Sequence, residues 1–333
     1  MSTRGWTLIG SCAVALLLSG CGVAEPSQAE PIVTIAAADA HHHHHGQATG
    51  DPAGPGVGIA TVGLPAERLG GTTGVPVPTV PAPVGPAPTG KGEIRVTCSF
   101  SHRLPDDPIV FPAQPGRSHS HDFFGNTSTD ANSTTASLDT ASTNCDPISD
   151  RSAYWVPSLI VDGEAVAPDR VTIYYTSDLA DPRYTVAPPV GLQMIAGSAR
   201  DEFRDDIGVA KWSCLGDPLS GANVVVCPEG SQLELLLRFA DCWDGVHLNF
   251  SFAVAHMAYS TAGACPDTHP VPIPRIEFKL RYPTRGAGAT LASGSGFSAH
   301  GDVWNLWEPD ELQQRIETCL WAGVKCDEAG TPL

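Results

Sequence analysis

The sequence is poor in basic residues and has no aromatic ones between residues 22 and 90. It contains 19 Lys and Arg against 36 Asp and Glu, for a formal charge of −17, and this balance excludes proteins that bind nucleic acid through a basic face. Without Phe, Trp or Tyr, residues 22–90 lack the large side chains that form a core. The 333 residues would accommodate two domains, but we predict a single folded domain over residues 91–333.

Three further features are missing. There is no GxGxxG motif and no alternation of strands and helices, which argues against a nucleotide-binding fold. No CxxC pair occurs among the cysteines after residue 90, which argues against a thiolate zinc site or a thioredoxin-like centre. The apolar run from Leu8 to Leu18 is too short to span a bilayer as a helix.

That short run is typical of an export signal. Arg4 provides a positive start, and the run ends in Leu18-Ser19-Gly20-Cys21, which is similar to the bacterial lipobox. We predict a lipoprotein signal peptide over residues 1–21 with Cys21 as the lipidated first residue of the mature chain. The alternative is an ordinary cleaved signal in which Cys21 has no role. With Cys21 lipidated, the protein is expected to be exported and anchored by lipid alone to the outer face of the cell membrane or envelope.

Residues 22–90 are predicted to form a disordered tether rich in Pro, Gly and Ala. They contain eleven prolines, which favour extended polyproline II conformation and leave too little apolar surface to offset the entropy of ordering. Five consecutive histidines occupy positions 41–45. Such a run binds divalent metals loosely, but on a flexible chain it forms no defined coordination sphere, and we place no site there.

The remaining cysteines number eight, an even set that predicts four disulfides in an exported domain. They are Cys98, Cys145, Cys214, Cys227, Cys242, Cys265, Cys319 and Cys326. Spacing alone does not choose among the pairings; we favour bridges between near neighbours, Cys98–Cys145, Cys214–Cys227, Cys242–Cys265 and Cys319–Cys326.

Short runs of branched and aromatic residues, separated by Gly, Pro, Asp or Asn, predict a mainly β domain. The predicted strands cover residues 93–100, 153–161, 170–175, 233–239, 248–254 and 276–282. Their spacing favours a disulfide-stapled antiparallel β-sandwich or jelly-roll-like body. Pro309, followed by Leu312, Ile316 and Leu320 at helical spacing, predicts a C-terminal amphipathic helix over residues 309–322.

Histidines and aspartates cluster at four places in this domain. His119 and His121 would project to one face of a strand, where two imidazoles can ligate one metal; the alternative is one exposed His and one bonded to backbone. Asp241 and Asp244 follow an apolar strand and would form a general acid and base if they shared a cleft. The plainer interpretation of that pair is an Asp-Gly turn after Trp243.

The other two clusters combine His with nearby Asp or aromatic residues. His256 and His269 lie on either side of Cys265, and His300 and Asp302 flank a glycine. Such a His and Asp can act as metal ligand and outer partner, or as base and orienting group. Each of these side chains could instead be a hydrogen-bonded structural residue.

Read in order, these motifs resemble a secreted family known as domain of unknown function DUF1996. The motifs that carry the resemblance are the His-x-His near Gly125-Asn126, the block Ala153-Tyr154-Trp155-Val156-Pro157, Met194-Ile195-Ala196-Gly197, Trp212-Ser213-Cys214, Phe239-Ala240-Asp241-Cys242-Trp243-Asp244-Gly245, His256-Met257-Ala258-Tyr259, Cys265-Pro266-Asp267-Thr268-His269-Pro270 and His300-Gly301-Asp302.

The resemblance covers about residues 95–325 and implies that the His-rich motifs are family features. The family occurs in fungi, often fused to carbohydrate-binding modules, and in actinobacteria, and this chain resembles an actinobacterial-type lipoprotein. Fungal members resemble His-x-His-Gln where this chain has Asp122, and they tend to have Pro where it has Ser260. The family name leaves the activity open.

Our leading hypothesis is a cell-envelope protein that binds or hydrolyses extracellular or cell-wall glycans. A cleft lined by His and Asp would contain His121, His256, His300, Asp302, Asp241 and Asp244. Four tryptophans are candidates to stack on sugar rings: Trp155, Trp243, Trp304 and Trp307. In a glycoside hydrolase-like version, two carboxylates act as acid and base or nucleophile, with Asp241, Asp244, Asp302, His256 and His300 as the catalytic candidates.

Two alternatives come from other classes. The first is a copper- or zinc-binding envelope protein, in which His119 and His121 begin a site that His256 or His300 completes and His269 is a further candidate ligand. The sequence leaves the cofactor open, with a divalent metal as the candidate. The second is a non-catalytic adhesion module.

Overall fold

The computed structural model describes residues 82–200, 208–250 and 255–333. The predicted signal, Cys21, the five histidines at 41–45 and the tether as far as residue 81 lie outside the described residues. No helix among the described residues is long and apolar enough to cross a membrane.

Strands dominate the described part of the chain. In order they are β1 (Glu93–Cys98), β2 (Phe100–Leu104), β3 (His121–Gly125), β4 (Cys145–Asp146), β5 (Ala153–Pro157), β6 (Leu159–Val161), β7 (Glu164–Val166), β8 (Arg170–Thr176), β9 (Gln193–Gly197), β10 (Ala210–Cys214), β11 (Asp217–Gly221), β12 (Leu233–Arg238), β13 (Cys242–Trp243), β14 (Met257–Ala258), β15 (Val271–Pro272), β16 (Arg275–Tyr282), β17 (Ala289–Leu291), β18 (His300–Trp304) and β19 (Lys325–Cys326). The α-helices are α1 (Thr135–Asp139) and α2 (Pro309–Arg315), and short helical turns cover Pro182–Tyr184, Gly296–Ser298 and Ile316–Trp321.

Two large sheets form the body, and the mainly β, antiparallel prediction is confirmed. The larger sheet has the order β11-β10-β12-β16-β8-β1-β19 with β4 beside β1, and the five-stranded sheet has the order β2-β3-β5-β18-β9. Nearly all their pairings are antiparallel; β1 with β19 is parallel. Two three-stranded sheets, β14-β13-β15 and β17-β6-β7, lie beside them.

The two large sheets share one hydrophobic core. Alternate residues of β1 and β16 are buried, as expected for strands with one face turned inward. From the five-stranded sheet, the Tyr154 ring meets Phe278 edge-on at 5.6 Å between centroids. Gly301 allows a close approach between the sheets, because an added Cβ there would lie 2.8 Å from Leu237 Cδ1.

A buried chain of hydrogen bonds joins the same two sheets. The Tyr154 hydroxyl donates to the Asp150 carboxylate at 2.6 Å and lies 2.7 Å from the Tyr175 hydroxyl, to which the Trp307 indole donates at 2.8 Å. Burial raises the pKa of Asp150 to about 6, while the hydrogen bond from Tyr154 opposes the shift. All four side chains therefore belong to the core between the sheets.

The four disulfides pair the near neighbours that the sequence favoured. The bridges are Cys98–Cys145, Cys214–Cys227, Cys242–Cys265 and Cys319–Cys326. The C-terminal helix is also confirmed: Pro309 begins it, the Glu308 side chain caps it by accepting from the Glu311 amide at 2.9 Å, and Leu312 and Ile316 are buried.

Some predicted strands differ from those observed. The strand predicted over 248–254 is wrong for residues 248–250, which are irregular, and residues 251–254 lie outside the described part. The Asp244 carboxylate binds the amides of Val246 and His247 at 2.8 and 2.9 Å, which turns the chain just before this point. The runs 93–100 and 153–161 each divide into two strands, because the chain passes between sheets at Ser99 and Ser158.

The last residues of the predicted tether lie against the domain. The Arg183 guanidinium donates to the carbonyls of Val84 and Gly85 at 3.0 and 2.9 Å. Gly90 packs against Gly323 so closely that a Cβ would lie 2.2 Å from the Gly323 carbonyl oxygen. Ordered structure therefore begins before Lys91.

Candidate metal centre

Three imidazoles meet on the outer face of the five-stranded sheet, the face turned away from the shared core. The Nε2 atoms of His119 and His300 are 3.2 Å apart, and those of His121 and His300 are 3.4 Å apart. His121 and His300 are buried, with 0% and 4% exposure, and His119 is partly exposed. An ion would therefore reach this trio from the His119 side.

The strand register explains the convergence. His121 pairs with Pro157 of β5, and the register of β18 on β5 places His300 on the other side of the same proline. Directly opposite residues share a face of the sheet, and strands lie about 4.8 Å apart. The imidazoles of His121 and His300 can therefore come into contact across the small Pro157 ring.

Gly197 on β9 lets His300 lie where it does. It pairs with His300 and has φ +88°, and an added Cβ would lie 2.3 Å from the Ala299 carbonyl oxygen and 2.7 Å from the His300 Cα. A side chain at this position would push the start of β18 away from β9. The glycine is thus part of the scaffold that places the imidazole.

Backbone carbonyls fix the protonation of two of the three rings. His121 Nδ1 lies 2.9 Å from the Asp106 carbonyl oxygen, and His300 Nδ1 lies 2.8 Å from that of Ser298. A carbonyl only accepts, so in each ring Nδ1 carries the proton and Nε2 presents a lone pair. Metal-binding histidines commonly have this outer hydrogen bond.

Two lone pairs therefore face each other at the His121–His300 contact. Between neutral rings of these tautomers the contact contains no proton to form a hydrogen bond. Burial lowers the pKa of His119 to about 4, and burial, reinforced by His119 and His300, holds the pKa of His121 well below its ordinary value. Because His119 and His121 resist protonation, a metal cation is the charge that best suits this cluster of imidazoles.

The spacing fits tetrahedral coordination. Metal–nitrogen bonds of about 2.0–2.1 Å place tetrahedral nitrogens roughly 3.3–3.4 Å apart, and the observed separations are 3.2 and 3.4 Å. One atom from each of the three histidines lies within 4.8 Å of the other two. The trio can thus bind one ion with little movement.

Two carboxylates lie next to the trio. One ligand atom each from Asp107, His121 and Asp302 lies within 4.8 Å of the others. Asp302 is 1% exposed, and neither of its oxygens has a hydrogen-bond partner among the described residues. Burial, with the nearby Asp107 charge, holds the pKa of Asp302 well above its ordinary value.

The loop from β2 to β3 supports this arrangement. The Asp106 side chain accepts from the amides of Gly116 and Ala131 at 2.7 and 3.0 Å, and Asp107 accepts from those of Ile109 and Val110 at 3.0 Å each. Asp122, next to His121, faces the opposite side of the sheet, as alternation requires. Its carboxylate binds Arg103 at 2.5 and 3.0 Å.

The other predicted His and Asp site residues, together with His247, form a separate polar cluster around β13, which we call the β13 cluster: Asp241, Asp244, His247, His256 and His269. Asp241 accepts from the amide and hydroxyl of Ser260 at 2.7 Å each and pairs with Arg275 at 3.0 Å. Asp244 closes the turn before Leu248 and lies 2.6 Å from His247 Nδ1. Both carboxylates are therefore engaged inside the fold.

The histidines of the β13 cluster are engaged as well. His256 Nε2 lies 2.7 Å from the Gln193 carbonyl oxygen, and His269 Nε2 lies 2.9 Å from that of Ala255. The three-residue metal-ligand groups found among the described residues include neither ring. The structure thus brings together His119, His121, His300 and Asp302 from the predicted set, and it does not bring His256, His269, Asp241 or Asp244 to them.

The tryptophans predicted to stack on sugars are interior side chains. Trp155 and Trp243 are 0% exposed, Trp307 is 1% exposed and Trp304 is 5% exposed. Trp155 packs on Phe123 at 5.6 Å between centroids. Trp243 and Trp307 pack in the core that the two large sheets share, and Trp155 and Trp304 pack in a second, smaller hydrophobic cluster. We therefore assign them no stacking role.

Sequence reasoning missed Asp107. The signal that was available is the pair Asp106-Asp107 directly after β2, because β2 is antiparallel to β3 and its end at Leu104 lies opposite His121. A carboxylate just beyond that end lies near the imidazole.

Comparisons with known proteins agree with the sequence motifs. No curated protein and no solved structure matches the chain. A family model described as a domain of unknown function (DUF1996) matches residues 107–307, which is more than half of the 333-residue chain and begins at the aspartate beside the imidazole trio. The chain belongs to the DUF1996 family.

Proposed function

We propose that this protein binds a transition-metal ion, zinc or copper, through His119, His121 and His300. The observation that carries the proposal is the short distance of His300 Nε2 from the Nε2 atoms of His119 and His121, 3.2 and 3.4 Å. Backbone carbonyls hold the rings of His121 and His300 so that their Nε2 lone pairs face each other. Imidazole nitrogen suits zinc and copper among the common biological metals. A three-histidine site leaves the fourth tetrahedral position for water or a substrate.

Zinc binding by the whole chain tests this proposal. The histidines at 41–45 are first removed by the substitutions His41→Ser, His42→Ser, His43→Ser, His44→Ser and His45→Ser, because they bind metal loosely on their own. Zinc at 100 times its Kd should stabilise the fold by about 2.7 kcal/mol. His119→Ala should abolish that stabilisation, and His269→Ala, which alters a histidine bonded to the Ala255 carbonyl, should leave it intact. Equal stabilisation in both variants would refute the proposal.

A second candidate function is glycan binding at an open depression beside edge strand β2. The depression has a volume of about 580 Å³ and is lined by Phe100, His102 and hydroxyl, amide and carboxylate side chains, among them Ser128, Asp130 and Asn144. Phe100 is 36% exposed, and a partly exposed aromatic ring among polar groups suits a sugar ring. Calorimetry with neutral oligosaccharides should show binding that Phe100→Ala removes and Leu219→Ala, at another partly exposed apolar position, preserves.

We also propose that the protein works outside the cytoplasm, attached to membrane by lipid at Cys21. Four disulfides support this placement, because such bonds persist in oxidising compartments. Cys21→Ser should move the protein from the membrane fraction to the soluble fraction. Unchanged membrane association of Cys21→Ser would contradict lipid attachment.

A further inference from the structure

The carboxylates beside the imidazole trio form a second polar group that the proposed metal site does not use. Asp107 and Asp302 are 4% and 1% exposed, and one oxygen of each lies within 4.8 Å of the other and of a His121 nitrogen. His121 is the residue that the two groups share. The groups therefore adjoin on one face of the sheet.

The Asp302 carboxyl group has no hydrogen-bond or ion-pair partner among the described residues. Neither of its oxygens accepts a hydrogen bond from the described residues, and the ion pairs found there do not include it. The contrast with Asp122 is direct, because that buried carboxylate, on the opposite face of β3, is bound by Arg103 and by the Ser158 hydroxyl. A buried carboxylate without a partner is costly, whereas one that coordinates a metal is stabilised.

We propose that Asp107 and Asp302 bind a second divalent cation beside the ion held by the three histidines. Carboxylate oxygens accept zinc, manganese, magnesium and calcium. Adjacent ions in two-metal sites lie about 3.5–4 Å apart. The one lone pair of His121 binds the first ion, and the two carboxylates next to that ring bind the second. The inference rests on the proposed histidine site and adds a second ion to it.

The stoichiometry of zinc in the full chain, with serine substitutions at 41–45 as above, tests this inference by native mass spectrometry and calorimetry. Two zinc ions should bind the otherwise unaltered protein. Asp302→Asn and Asp107→Asn should each reduce the count from two to one, and Asp244→Asn, which alters a carboxylate of the β13 cluster, should leave it at two. The unaltered protein needs no buried substitution, so its count stands even if a variant fails to fold.

The outcomes separate the two proposals. One zinc in the unaltered protein, lost in His300→Ala, would overturn the second cation and leave the histidine site standing. Two ions retained in both Asp107→Asn and Asp302→Asn would also overturn it. No bound zinc would overturn both.

Discussion

The imidazole trio and the β13 cluster contain the same residue types in opposite states. In the β13 cluster, each carboxylate and imidazole has a partner within the fold: Asp241 pairs with Arg275, and His256 bonds to the Gln193 carbonyl. In the trio, the lone pairs of His121 and His300 face each other, and the nearby Asp302 has no hydrogen-bond partner among the described residues. Composition alone does not distinguish these regions.

The difference lies in how polar groups are satisfied. A buried polar group that is paired internally stabilises the fold, whereas one left without a partner costs free energy unless a ligand supplies it. Because Asp302 is a buried group without a hydrogen-bond partner among the described residues, we interpret the β13 cluster as structural and the trio with the adjoining carboxylates as a binding site. Substitutions should affect stability in the first region and metal affinity in the second.

The largest effect is expected for His300→Ala. Loss of one of three ligands should weaken zinc binding by about 1,000-fold, or about 4 kcal/mol, since even outer partners of ligands contribute about 10–100-fold. The matched variant His256→Ala should bind zinc as the unaltered protein does. Calorimetry checks both, and equal loss in the two variants would erase the distinction between the regions.

A pair of Asp→Asn substitutions compares buried carboxylates. Asp241→Asn should destabilise the protein by about 3 kcal/mol, because it leaves the Arg275 charge without its buried partner. Asp302→Asn should cause no loss of stability in metal-free protein, because it replaces a buried carboxyl group that has no hydrogen-bond partner among the described residues with a neutral amide. Urea unfolding in the presence of chelator measures both. A larger loss in Asp302→Asn than in Asp241→Asn would contradict our interpretation.

A pair of Gly→Ala substitutions tests the scaffold of the trio. Gly197 and Gly163 have φ +88° and +85°, so alanine has the same backbone penalty at each, about 1 kcal/mol. Only at Gly197 would the new Cβ meet backbone, at 2.3 Å, whereas Gly163 has open space around it. We expect Gly197→Ala to lose about 1–2 kcal/mol more than Gly163→Ala and to weaken zinc binding. Unaltered zinc affinity in Gly197→Ala would show that β9 does not place His300.

The smallest effect is a pH dependence in the β13 cluster. Burial lowers the pKa of His256, while its bond to the Gln193 carbonyl opposes the shift. The unfolded chain then binds a proton more readily than the folded one, so stability should fall as the pH drops below about 6.5. His256→Gln should flatten this part of the stability curve at saturating zinc. A curve that is equally steep in the variant would assign the titration to another group.

The sequence predicted the fold better than the site. Branched and aromatic runs located β8, β12 and β16 because each of these strands turns such residues into the core, and Pro309 with its periodic apolar residues located α2. The two-residue spacing also predicted that His119 and His121 lie together, although His119 precedes β3 instead of lying in it. The meeting of β3 and β18 across Pro157 depends on sheet order, which local spacing does not encode.

The tryptophans and the Asp241–Asp244 pair show the same limit. Aromatic residues next to polar motifs are typical of sugar-binding clefts, but they equally fill cores, and only the packed structure assigns Trp155 and Trp243 to the interior. Likewise, the spacing of the two carboxylates does not reveal their partners. Asp241 pairs with Arg275 and accepts from the Ser260 amide, and Asp244 accepts from the amide of Val246 in a turn. Long-range partners decide which polar residues remain available.

The visible absorption spectrum of the cobalt-substituted chain, with serine at positions 41–45, tests the metal centre most directly, because it reports coordination geometry as well as binding. The imidazole trio predicts the intense bands of tetrahedral Co²⁺ at saturation, present in His269→Ala and absent in His121→Ala. A weak octahedral spectrum like that of Co²⁺ in water, or a tetrahedral one that survives His121→Ala, would contradict the three-histidine site.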